Sequence, residues 1–143
     1  MKCYTTTMKS RVIIVGIIEK DGKILLGKKP ENIGPYPNTW HLPGGGINLD
    51  EESLEEALKR EIKEEARIEV KNIESVGFDE DYEPNKHGEM THYLFIDFKA
   101  ICISKQLNPG DDMNYLQWVE KSKIKNLNLN KPTRKVLKKL KII

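Results

Sequence analysis

Glu61, Glu64 and Glu65 are spaced at i, i+3 and i+4 in a stretch whose apolar residues recur with a helical period. At about 100° per residue, Glu61 and Glu65 project within the arc that Leu54, Leu58 and Ile62 define, and Glu64 falls at its edge. Carboxylates aimed at the protein body are costly to desolvate unless they are paired or hold a cation. Glu64 and Glu65 are also adjacent like charges, which a proton or a cation relieves. An oxygen-only donor set of this spacing suits a hard divalent ion, Mg2+ with Mn2+ as its substitute. Glu55, Glu56 and Lys63 instead fit a solvated face. Just upstream, Gly44-Gly45-Gly46 reads as a loop whose backbone can approach a phosphate closely or lend a carbonyl to a metal. Such a loop leading into an acid cluster points to metal-assisted chemistry on phosphates.

The elements that must position these groups are legible on either side. Ser53-Leu54-Glu55-Glu56 has the form of a capping box and predicts a helix buried through Leu54, Ala57, Leu58, Ile62 and Ala66. Residues 12–18 and 23–27 are β-rich runs around Asp21-Gly22, the signal of a hairpin, with ordered structure expected from about Arg11. Residues 30–39, rich in proline and asparagine, predict a long loop ending on an apolar patch at Trp40 and Leu42. Beyond the helix, residues 68–78 and 90–103 have strand composition, residues 79–89 read as a charged connection, and 116–119 as a last short strand. Val136, Leu137, Leu140 and Ile143 recur at helical spacing and predict a terminal helix. This order predicts an α/β fold, an α/β/α sandwich around a mixed β-sheet. Residues 1–7 show no pattern and read as a loose extension, leaving 8–143 as a single domain.

Composition narrows the class. With 143 residues, 38% hydrophobic and 32% charged, the chain is long enough to bury a core without disulfides or structural metal, and its composition excludes a disordered or fibrous protein. The longest early apolar run, residues 12–18, is too short to span a bilayer, so no membrane partner is expected. Cys3 and Cys102 have neither metal-ligand spacing nor a bridge framework, which fits a reducing, cytoplasmic location. The formal charge of +2 hides a segregation. Residues 50–69 carry nine acids against four bases, and residues 121–143 nine bases and no acid. The basic tail reads as a helix with a solvated lysine face, so no nucleic-acid partner is expected.

From Gly46 onward, the pattern Gly46, five residues, Glu52, seven residues, Arg60-Glu61-Ile62-Lys63-Glu64-Glu65, two residues, Ile68 resembles the signature box of the Nudix hydrolases, G-x5-E-x7-R-E-U-x-E-E-x-G-U with U aliphatic. The resemblance implies a Nudix-type sandwich and a Mg2+-dependent enzyme that cleaves a nucleoside diphosphate linked to another group by attack of water on phosphorus. It further implies that Glu61, Glu64 and Glu65 are metal ligands or the base for water, that Arg60 orients a glutamate, that Glu52 supports the site, and that a carbonyl of Gly45 or Gly46 adds a ligand. The chain departs from the box in carrying Arg67 where glycine is usual, and the stretch from Pro43 to Glu52 is one residue longer than the common pattern. A left-handed backbone at Arg67 would cost about 1 kcal/mol relative to glycine.

Outside the box, GPYPNTWHLPGGG, GEMTHYLFIDF, LQWV and LNLNKPTRKVLKKLKII are similar to the NudI-type nucleoside triphosphatases of that family. This implies a nucleotide substrate, a pyrimidine deoxynucleoside triphosphate, cleaved to the monophosphate and pyrophosphate. ADP-ribose or another nucleoside diphosphate derivative is the rival substrate, and a non-catalytic nucleotide-binding regulator the rival class, against which the intact Glu61, Glu64 and Glu65 argue. A homodimer is left open. Candidate substrate contacts are Arg11 for phosphate, the backbone at Gly44 and Gly46, and Tyr36 and Trp40, then Trp118, for stacking on a base, with packing the alternative for each aromatic. Glu89, Asp111 and Asp112, flanked by His87 and His92, are the available acids outside the box, and solvated turns are the simpler account of them. His41 reads as structural.

Overall fold

The structure, a computed structural model, describes residues 8–31, 34–104 and 116–143. The extension 1–7 with Cys3, and the candidate acids Asp111 and Asp112, lie outside the described residues. Strand β1 (Lys9–Lys20) is central. It runs parallel to β6 (Met90–Cys102) along nearly its whole length, and β5 (Val70–Pro84) closes that side antiparallel to β6. Its other edge is divided between β4 (Gly44–Gly46), opposite Ile13, Ile14 and Val15, and β2 (Lys23–Lys28), opposite Glu19 and Lys20. The short β3 (Trp40–His41) and β7 (Leu116–Glu120) both pair antiparallel with β2. The tight hairpin follows from Asp21-Gly22, both at positive φ, as a primed turn requires.

Side chains of β1 alternate between two cores. Ile14 and Ile18 pack with Ala57, Leu58, Ile62 and Ala66 of helix α1 (Leu54–Ala66). Val15 and Ile17 pack with Ile124 of α2 (Lys121–Ile124) and with Val136 and Leu137 of α3 (Lys131–Lys139). Helices thus cover both faces of a mixed sheet, the expected α/β/α sandwich. Among the described residues no helix is long and apolar enough to cross a membrane.

Three boundaries differ from the sequence reading. Gly44-Gly45-Gly46 is a strand, not a loop, held by β1. Order in β1 begins at Lys9, earlier than expected. Strand β5 continues through residues 79–84, which composition alone reads as a charged connection. Its acids find their counter-charges on the far helix. Lys131 Nζ lies 3.3 Å from Asp81 Oδ2 and 3.5 Å from Glu83 Oε2, and Lys139 Nζ lies 3.9 Å from Asp79 Oδ2. Part of the basic tail is therefore partnered and not simply a solvated lysine face.

Candidate active site

The capping box forms as expected: Glu56 N–H donates to Ser53 Oγ at 3.2 Å, and Ser53 N–H to Glu56 Oε1 at 2.9 Å. It starts α1 directly after Glu52, so Arg60, two turns on, can reach back. Arg60 grips Glu52 with two N–H groups, Nε at 2.9 Å and Nη2 at 2.5 Å, a paired geometry that guanidinium and carboxylate favour. Its Nη1 donates to Glu61 Oε1 at 2.9 Å and to Glu64 Oε2 at 3.4 Å, and Nη2 reaches the Gly46 carbonyl at 3.3 Å. These bonds hold the Glu52 carboxyl below its ordinary range and the Arg60 guanidinium above its own.

The glycine strand fits closely against this cluster, with backbone opposite Gly44 and the ends of the Glu61 and Arg11 side chains opposite Gly45 and Gly46. A methyl on Gly44 would overlap the Ile14 carbonyl, one on Gly45 would lie 2.5 Å from Glu61 Cδ, and one on Gly46 2.6 Å from Arg11 Nη2. Glu65 points into the same junction, half-buried, accepting a hydrogen bond from Gly44 N–H. Burial first, then the charge of Glu61, pushes its carboxyl up to about 8, against the pull of that bond and of Lys29. A carboxyl in this state takes up a proton or a cation.

Beside Glu65 opens a cavity of about 440 Å³, within the usual size of small-molecule sites. Arg11, Lys29 and the three glycines give its lining polar and cationic groups. Tyr93 and Phe95 of β6 and Val136 of α3 give it apolar wall, with Tyr93 the strand neighbour of Arg11, and it also carries Asp97 and Asn130. Asn130 caps α3 by accepting from Thr133 N–H at 2.9 Å. Burial, then Arg11, keeps the Lys29 ammonium below its ordinary pKa.

The structure therefore gathers Glu52, Arg60, Glu61, Glu64, Glu65, Gly44, Gly45, Gly46 and Arg11 in one place. Tyr36 also lines the cavity, but its hydroxyl donates to Asp81 Oδ2 at 2.6 Å and its ring forms wall. Trp40 does not line the cavity. Its ring packs on the second core, and Lys28 Nζ sits 5.9 Å from its centroid. Trp118 packs on the first core instead. His41 reaches the cavity wall, with Nδ1 donating to the Leu42 carbonyl at 2.9 Å and burial holding its pKa down, in keeping with a structural role. Glu89 closes the β5–β6 turn by accepting from Asn85 and pairs with Lys9 at 3.6 Å. His87 is exposed, and His92 stacks on Tyr82 and bonds Glu80 at 2.7 Å, so none of these three enters the cavity. Sequence reasoning missed Lys29, Asn130, Tyr93, Phe95 and Asp97. Only Asp97 left a signal, a lone charge inside the apolar run of β6.

The fold and this box define a class. The model of the NUDIX domain matches residues 7–140, and the chain belongs to the Nudix family of hydrolases. It is 29% identical to a protein named nucleoside triphosphatase NudI from Enterobacter sp. (strain 638), over 89% of this chain and 94% of that one. Among solved structures it is similar to a MutT NUDIX hydrolase from Burkholderia pseudomallei, at 27% identity and TM-score 0.72 over 91% and 97% of the two chains. A MutT protein from Methanosarcina mazei Go1, 21% identical, shares the fold with a TM-score of 0.74 over 96% of each chain.

Nudix hydrolases use a divalent metal ion. Among the described residues no three acid, histidine or cysteine side chains stand ready as a metal cluster. Arg60 accounts for this, since it draws Glu61 and Glu64 to itself. The donor set nonetheless fits a hard cation: Glu61 and Glu65 bring all-oxygen ligands together at a half-buried junction where their charges repel. Glu64 is exposed and held by Arg60 only at 3.4 Å.

Proposed function

We propose that this chain is a Mg2+-dependent nucleoside triphosphate pyrophosphohydrolase acting on pyrimidine deoxynucleotides and releasing the monophosphate and pyrophosphate. The observation that carries the reading is the polarity of the cavity. It combines cationic side chains and a glycine backbone beside Glu65 with apolar and aromatic wall from Tyr93, Phe95 and Val136. A triphosphate suits the first set of groups and a base the second.

In this reading Glu61, Glu64 and Glu65 are the metal and base set, with a backbone carbonyl of Gly45 as a further ligand. The ion, when bound, neutralises phosphate charge and makes water a stronger nucleophile. Arg60 fixes Glu61 and, through Glu52, its own orientation, so Glu61 is held in one place before substrate arrives. Arg11 and Lys29 meet the phosphates, and the absence of side chains at Gly44 and Gly46 lets the backbone come close. The similarity to the NudI protein supports a triphosphate substrate.

The test is product analysis with and without metal. Hydrolysis of deoxynucleoside triphosphates should vanish in EDTA, return with Mg2+ or Mn2+, and yield pyrophosphate, not orthophosphate. Undiminished turnover in chelator overturns the metal assignment. Preference for ADP-ribose overturns the substrate assignment.

A further inference from the structure

We propose that His41 is a specificity-determining residue whose Nε2 accepts a hydrogen bond from an N–H of the substrate's base; this rests on the cavity being the nucleotide site. His41 stands on β3 opposite Gly27 of β2, and both line the cavity. A Cβ at residue 27 would lie 3.2 Å from both Cε1 and Nε2 of the ring, so Nε2 sits over a cavity-lining backbone. Leu116, 3.0 Å from the same position, gives the ring an apolar flank. The bond from Nδ1 to the Leu42 carbonyl is the structural half of the residue. Nε2 of the half-buried ring has no hydrogen-bond partner among the described residues, and unlike Asp79 Oδ2 and Asp97 Oδ2 it is not sealed from a ligand.

The Leu42 carbonyl fixes which nitrogen is the acceptor. A carbonyl only accepts, so the Nδ1 lying 2.9 Å from it carries the proton. Burial, and after it the Lys29 ammonium, hold off a second proton against the pull of the Leu42 bond. Nε2 is therefore a lone pair, and it completes itself with a donor. An ionised triphosphate offers none, and Arg11 and Lys29 suit its oxygens instead. The donors of a deoxynucleotide are the N–H groups of the base and the 3′-hydroxyl. Asn130 favours the base. Its N–H donates to the carbonyl of Trp40, the residue before His41, and its Oδ1 is taken by Thr133 N–H, so its amide NH2 remains as a donor on the same cavity. An acceptor and a donor from adjoining residues complement one base edge, N3–H beside O4 in thymine or the 4-amino group beside N3 in cytosine.

Asparagine and glutamine each copy one side of the ring. Asn puts its NH2 where Nδ1–H stands and leaves the Nε2 position empty, whereas Gln reaches the Nε2 position with its amide oxygen. On dTTP and dCTP, His41→Asn should raise KM at least about tenfold with little change in kcat and in melting temperature, and His41→Gln should hold KM within about threefold of the parent. A purely structural ring predicts the reverse order. N3-methyl-dTTP and N4,N4-dimethyl-dCTP lack the base donor, and 2′,3′-dideoxy-TTP lacks the hydroxyl. At least one of the methylated bases should cost the parent about tenfold or more in kcat/KM and cost His41→Asn nothing further, while the dideoxynucleotide is cleaved like dTTP. An unchanged KM in His41→Asn, a Gln variant as impaired as the Asn variant, a methylation penalty equal in parent and His41→Asn, or a loss on the dideoxynucleotide in place of the methylated bases overturns the assignment while triphosphate cleavage by the parent stands. A parent that cleaves no triphosphate overturns the nucleotide reading and this inference with it.

Discussion

Two carboxyl groups in this molecule sit where water would not leave them charged, and they answer to different causes. Glu65 is raised to about 8 by burial and by Glu61, in the box. Replacing it by Gln keeps the shape and removes the charge, so kcat should fall by about 10² or more if it holds the metal or activates water. The melting temperature of the metal-free protein should hold or rise, since a repulsion with Glu61 and Glu64 has gone. Steady-state kinetics and a thermal melt in EDTA check both. Asp97 is raised to about 8 from an ordinary 3.8 by burial and Asp79. A folded state that binds its proton more tightly than the unfolded chain is favoured at low pH. This contribution is full below about pH 4 and is lost as pH rises through about 8. Asp97→Asn lacks that slope, so its melting temperature relative to the parent should rise between pH 5 and pH 8.5, as melts in a buffer series would show. A difference that stays flat would mean that Asp97 is charged throughout.

At the scale of elements, α1 was legible to its caps because its signals are local. Ser53 and Glu56 form the box that their spacing announces, and Arg67 ends the helix at φ 56, the left-handed position where the family pattern has glycine. Replacing Arg67 by Ala or by Gly removes the same side-chain contacts, and only Gly also removes the left-handed cost. Arg67→Gly should therefore be about 1 kcal/mol more stable than Arg67→Ala in denaturant unfolding, with turnover equal in the two. Equal stability would place no strain at that residue. The second half of β5 was not legible, since Asp79, Asp81 and Glu83 read as a solvated turn until Lys131 and Lys139 are placed beside them. Nor was the strand at Gly44-Gly45-Gly46, because glycine has no strand propensity; its pairing comes from Ile13, Ile14 and Val15. The signature box could be read because its members lie within one helix and the segment before it. The cavity could not, because Arg11, Lys29, Tyr93, Asp97 and Asn130 come from elements that only the folded sheet brings together.

At the scale of the whole molecule, the two helical layers divide the work, α1 carrying acids to one end of the cavity and α3 closing its flank. Pro30, Pro35 and Tyr36, before β3, also line the cavity, and hydrogen bonds tie the residues around them to the rest of the fold. Tyr36 donates to Asp81 on β5, Thr39 Oγ1 donates to the Tyr36 carbonyl at 2.5 Å, and Lys29 N–H donates to the Thr39 carbonyl at 2.8 Å. Asp81 is in turn paired with Lys131 of α3, so loop, hairpin and helix are tied at one point. A cavity of about 440 Å³ braced in this way has little freedom to widen for a two-ring base. One-ring bases should therefore be favoured in the transition state, with kcat/KM for dCTP, dTTP or dUTP at least about tenfold above dATP or dGTP, a difference of about 1.4 kcal/mol. Tyr36→Phe tests the bracing itself, since it keeps the ring and cuts the tie to Asp81. That variant should narrow the pyrimidine-to-purine ratio by raising purine kcat/KM while leaving pyrimidine turnover near the parent's. Equal rates on purines and pyrimidines in the parent would mean that the wall yields to the larger base, and would reject the pyrimidine assignment without touching the chemistry at Glu61 and Glu65.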